Sequence, residues 1–204
     1  MPSRHVLAAL ALLAAAGCTP SEPGFFDRPM APPAPTIDRL DAIPVADLST
    51  SARPPLNEST PCDSVPASVV APAGFTEAPV ANQPPGCVWL SPRNLVLTVS
   101  SISQRTMAEQ VATHLDMSPA ALAHLTWLRV DRSYAIQRIL TTDEASTCFL
   151  IVDVSAPRPV EIQIYRLNPE TGDAVPTPAR KAAEAFCPVA QEVALNLLRH
   201  LDRP

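Results

Sequence analysis

Glycine is scarce, with five in 204 residues, and lysine is reduced to Lys181 alone. So few glycines leave no glycine-rich loop able to cradle a phosphate through its backbone. Aromatic residues make up 4% of the chain, so a core has to be built from Val, Leu, Ile and Ala. A basic footprint is also missing. The formal net charge is −5, which argues against nucleic-acid partners and against attachment to anionic lipid by charge. No G-x-S-x-G elbow, H-E-x-x-H pair or C-x-x-C pair occurs, and His114, His124 and His200 stand at no ligand spacing. Neither an enzymatic activity nor a metal or other cofactor is expected from these patterns.

Proline is abundant, with 25 residues, and it clusters. Before the clusters comes "MPSRHVLAALALLAAAGC", residues 1–18. Arg4 and His5 precede an apolar run from Val6 to Gly17. As a helix that run measures about 18 Å against about 30 Å of hydrocarbon, so it is too short to span. Its length suits the apolar region of a secretory signal. Ala15, Ala16 and Gly17 before Cys18 resemble the bacterial lipobox, with Ala15 where a large aliphatic is usual. That resemblance implies cleavage after residue 17 and lipid on the Cys18 sulfur. Two acyl chains such as palmitate hold a protein stably on a membrane, where one holds it marginally. The expected location is the extracytoplasmic face of the cell membrane.

Residues 18–56 read as a lipid-anchored linker. Nine prolines between Pro20 and Pro55 disfavour helix and sheet, and "MAPPAPT" favours extended polyproline II. Two readings stand for the apolar piece 37–48, docking on the folded part or more of the same linker, and the linker is favoured. The folded part is expected over 57–204. With Cys18 assigned to lipid, Cys62, Cys87, Cys148 and Cys187 remain, an even number in an exported chain. They imply two disulfides with three possible connectivities.

Strands are legible at 86–90, 94–102, 147–155 and 160–167, with a weaker one at 134–140. Alternation sets Cys148, Leu150, Val152 and Val154 on one face and Phe149 and Ile151 on the other. Apolar residues on both faces predict a central strand. Turns at "SPRN" and "APRP" predict two hairpins. Thr106 with Glu109 forms a capping box ahead of a Met107, Val111, Leu115 stripe. Ser118-Pro119 predicts a second short helix reaching Leu128. The last helix starts after Thr177-Pro178, and Pro188 predicts a kink or a restart after Cys187. The fold class is α+β, a mostly antiparallel sheet of about five strands packed against helices.

The cysteines then carry a resemblance. "PCDSVPASVVAPAGF", "CVWL", "CFLIVDV" and "FCPVAQEVALNLLRHL" together resemble an actinobacterial lipoprotein family catalogued as a domain of unknown function. The resemblance covers roughly residues 60–202. It implies the α+β fold, export, and pairing of Cys62 with Cys87 and of Cys148 with Cys187. It implies no activity.

Few polar residues invite a role. Asp143 and Glu144 read as a solvated turn. Asp153, flanked by valines, reads as a mid-strand carboxylate paired with Arg138 or Arg166 on neighbouring strands. Trp89 is expected beside the Cys87 disulfide and Trp127 in the core. The function expected is a tethered, non-catalytic binding or sensing module of the cell envelope. Its partner would be an envelope protein. A carrier of an apolar envelope ligand is the alternative, and an envelope hydrolase ranks last.

Overall fold

The computed structural model describes residues 33–36, 48, 53–57, 60–82, 86–102, 105–115, 125–142, 145–154 and 158–203. The signal region, Cys18, Asp143, Glu144, His124 and most of the segment 18–56 lie outside them. The elements in chain order are α1 (Ala67–Val70), β1 (Val80–Asn82), β2 (Gly86–Leu90), β3 (Leu95–Ser101), α2 (Met107–Leu115), β4 (Leu125–Val130), β5 (Ser133–Thr141), β6 (Ser146–Val152), β7 (Val160–Arg166) and α3 (Ala179–Leu201). The strands form one sheet in the order β1-β2-β3-β7-β6-β5-β4, and every neighbouring pair is antiparallel. The α+β class is therefore correct, with seven strands where about five were expected.

The two additional strands have different causes. β1 is a three-residue edge that pairs Val80 with Val88. β4 occupies a stretch expected to be helical. Trp127 and Leu128 are adjacent and both buried, yet they belong to different apolar clusters. A helix buries one stripe, whereas a strand sends successive side chains to opposite faces. Covering on both faces is what selects the strand here.

The register aligns the core in rows. Trp89, Leu97, Ile164, Cys148 and Ile139 form one row across five strands. Cys87, Val99, Ile162 and Leu150 form the next. Both rows point to the face that carries α3, which packs on them through Phe186, Val189, Ala190, Val193 and Leu197. The opposite face holds a smaller cluster of Met107 and Val111 from α2 with Trp127, Ile136 and Ile151. Truncating a side chain such as Leu150, wholly buried, to Ala costs about 2–5 kcal/mol.

Local signals explain the connections. The β2–β3 turn is closed by Asn94 N–H to the Ser91 carbonyl at 2.9 Å and by Leu95 N–H to Ser91 Oγ at 3.0 Å. Asn94 takes φ 60°, a left-handed conformation that Asn tolerates better than most residues. The capping box is formed: Thr106 N–H donates to Glu109 Oε2 at 2.7 Å, and Glu109 N–H donates to Thr106 Oγ1 at 3.2 Å. α3 starts after Pro178 and runs without a restart through Pro188. The proline removes one backbone donor, and the buried face on both sides of it, with Cys187 bonded to the sheet, holds the helix together.

Both disulfides follow the pairing that the resemblance implies. Cys62–Cys87 ties the opening segment to β2 across a separation of 25 residues. Cys148–Cys187 ties the central strand to α3 across 39. Replacing Cys148 and Cys187 together by Ser is expected to lower the unfolding free energy by about 3–4 kcal/mol in urea titrations. Peptide mapping without reduction should recover the same two links, and a Cys62–Cys148 peptide would contradict them. Thr106→Ala is expected to cost about 1 kcal/mol through loss of the cap.

Candidate functional site

The sheet ends at β4, and there the chain brings polar residues together. Val130 and Ser133 face each other across a two-residue turn of Asp131 and Arg132. Asp131 adopts φ 54°, which a short polar side chain permits, and both turn residues are exposed.

Beside this turn lies a short extended piece from the proline-rich segment. Thr36 makes an antiparallel bridge with Leu128, and Arg129 N–H donates to the Pro35 carbonyl at 3.0 Å. Ala34 N–H donates to Gln191 Oε1 of α3 at 2.9 Å, and Gln191 Nε2 donates to Gln137 Oε1 of β5 at 2.7 Å. Gln191 thus links the helix, the sheet and the N-terminal segment. Together these elements enclose a groove of about 180 Å³ lined by Pro33, Pro35, Arg129, Asp131, Pro188 and Leu195, among others. Its walls are mostly apolar, with Arg129, Asp131 and Glu192 as the charged members of the lining. The guanidinium of Arg129 sits over the Tyr134 ring, 5.3 Å from its centre.

A second cluster lies at the other end of the same turn. Arg53 donates from Nε to Asp202 Oδ1 at 2.6 Å and from Nη2 to Oδ2 at 2.9 Å. Its Nη1 donates to Ser133 Oγ at 2.7 Å. The two-pronged arrangement matches the fork of a guanidinium to a carboxylate. Hydrogen bonding from Arg53 holds the Asp202 carboxyl below the usual carboxylate range, and Asp202 in turn raises Arg53. Asp202 caps the C-terminal end of α3, donating its N–H to the Leu198 carbonyl at 3.0 Å. A carboxylate is disfavoured there by the helix dipole, and Arg53 offsets that cost.

Asp153 requires a correction. β6 ends at Val152, so Asp153 stands one residue past the strand rather than within it. It is buried, and its N–H donates to the Tyr134 carbonyl at 2.9 Å. Neither arginine expected as its partner is near that end of the sheet. Arg138 is in register with Phe149 and stacks over its ring at 4.8 Å, and Arg166 is in register with Leu95. Arg53 is raised mainly by its hydrogen bond to Asp202, and the Asp153 charge adds a minor contribution behind those of Asp202 and Asp131. Trp89 is buried in the main core with Cys87, and Trp127 fills the smaller cluster. His200 is half-buried on α3.

No helix among the described residues is long and apolar enough to cross a membrane. A family profile described as "Protein of unknown function (DUF3558)" matches residues 13–200. No curated protein and no solved structure matches the chain.

The Arg53–Asp202 pair has a definite pH signature. Asp202 titrates lower in the folded chain than in the unfolded one. Its contribution is therefore complete above the unfolded carboxylate pKa of about 3.9, and it is lost as pH falls through the folded value. Urea stability measured from about pH 7 down to about pH 2.5 should fall more steeply for the natural chain than for Asp202→Asn. Superimposable pH profiles would show that the pair adds nothing.

Proposed function

The chain belongs to the DUF3558 family of proteins of unknown function, and we propose that it is a lipid-anchored binding or sensing module of the actinobacterial cell envelope, without turnover. The carrying observation is the division of five cysteines into two disulfides and one left over at position 18. Two disulfides in a chain of this size suit an oxidising, extracytoplasmic compartment. Cys18 ends a signal-length apolar run at a lipobox-like sequence. The family match begins at residue 13, ahead of that cysteine, so the stretch around Cys18 lies within the matched span.

A binding role fits a small domain whose described surface offers a groove. The groove beside Pro33 is the place where a partner would seat. The space between α3 and the sheet, where a carrier would hold an apolar ligand, is filled by Leu150, Ile162, Phe186, Val189 and the Cys148–Cys187 bond. That packing favours a surface binder over a carrier.

Growth with an alkyne-tagged palmitate tests the anchor. The natural chain is expected to take up label and to sediment with membranes, and Cys18→Ala to take up none. Equal labelling of both, or a natural chain free of label, would overturn the reading. Co-purification of a lipid in stoichiometric amount with the mature chain would favour the carrier instead.

A further inference from the structure

Among the described residues, the sheet face away from α3 is covered only in part. α2 packs there on Trp127, Ile136 and Ile151 of β4, β5 and β6. Trp89, Leu97, Ile164 and Cys148 face α3, so their neighbours along each strand face the other way. Two rows on that side lie beyond the α2 cluster. One runs through Val80, Val88, Thr98, Gln163, Phe149 and Arg138, across six strands. The other runs through Leu90, Val96 and Tyr165, with Thr147 and Leu140 at its far end.

Exposure singles out these rows. The exposed large aliphatic side chains among the described residues are Val80 at 68%, Leu140 at 50% and Leu90 at 40%, and all three belong to them. Apolar side chains gathered on one surface mark an interaction site, whereas single scattered ones do not. The charged side chains within and beside the rows are Arg138, stacked over Phe149 at 4.8 Å, and Glu161, which accepts from Gln163. One base and one acid leave this surface neutral on a chain of net charge −5. A neutral surface gives no charge attraction to anionic lipid. It is also where two copies of an acidic molecule approach with least repulsion.

Shape and area select the occupant. Six strands at about 4.8 Å, by about five residues at about 3.4 Å, give on the order of 500 Å². Two such surfaces together bury about 1,000 Å², the lower bound for a specific interface. A helix is about 10 Å wide and would cover about two strands, whereas another sheet face matches the full width. Stacked sheets lie about 10 Å apart, so a second sheet laid here would sit level with α2, beside it rather than on it.

We propose that this face is a homodimer interface, in which two copies pack sheet on sheet about a two-fold axis. With an area at the lower bound, the dimer is weak and reversible, half-associated at tens of micromolar, on the order of 10–100 µM. The interface does not rest on the lipid-anchor reading.

Sedimentation velocity of the full chain carrying Cys18→Ala, from about 1 to about 500 µM, tests it. The weight-average mass should rise from one copy toward two across that range. Leu90→Glu with Leu140→Glu should raise the half-association concentration about tenfold or more. Both side chains are already exposed, so the thermal midpoint should not move. Lys181→Glu, on the exposed side of α3, changes the net charge by the same amount and should leave association unchanged. A monomer at every concentration would overturn the dimer. Association untouched by the double variant, or weakened equally by Lys181→Glu, would do the same. A monomeric chain that floats with phosphatidylcholine vesicles, and loses that in the double variant, would assign the face to lipid instead. Dimers of a chain that takes up no palmitate would defeat the anchor and leave the interface standing.

Discussion

The bond between Cys148 and Cys187 fixes the relation on which the rest of the domain depends, that of α3 to the middle of the sheet. Cys148 lies in β6, third from the β4 end, in one row with Trp89, Leu97 and Ile164. α3 is 23 residues long and amphipathic, and its buried residues recur across the whole of that length. With one point of the helix joined to one point of the strand, the apolar stripe of α3 can meet the sheet rows in one alignment only. The second disulfide then adds the opening segment to β2 at the far side of the same core. A core poor in aromatics gains from such covalent joints, because small aliphatic side chains bury less area per residue.

Much of this was legible. The doubly apolar Cys148–Val154 stretch announces an interior strand and the alternating Val160–Leu167 its hairpin partner, and β6 lies inside the sheet beside β7. The capping box at Thr106 and the proline start of α3 mark helix beginnings because they satisfy or remove orphan donors, which is local chemistry. β4 was not legible. "PAALAHLTWL" is a good helical string in isolation, and only the two-sided burial of Trp127 and Leu128 converts its end to strand. Pro188 does not restart the helix, since a helix held along its buried face tolerates a missing hydrogen bond that a free helix would not.

The candidate site was the least readable part. Arg53 and Asp202 are 149 residues apart, and each alone looks like an ordinary polar residue in a loop or at a chain end. Gln191, which joins Ala34 to Gln137, has no signature at all beyond its place on a helix. The proline-rich segment was read as spacer by composition. Composition reports what a segment cannot form by itself; it does not report what surface the segment can lie against. The available hint was the apolar piece 37–48, which ends in Leu48, with Leu56 shortly after it.

The short extended piece at Pro33–Thr36 has one more consequence. β4 is an outermost strand, and an uncovered outer strand offers its main-chain groups to any other extended chain. A covering piece that contains Pro33 and Pro35 occupies β4 on one side and has gaps in its own donor row on the other. It ends the sheet rather than extending it. Cutting the chain at Asn57, where composition suggests that the domain begins, would strip this cover and expose a strand able to recruit a copy of itself. The prolines beside the sheet therefore act as a barrier to self-assembly through this edge.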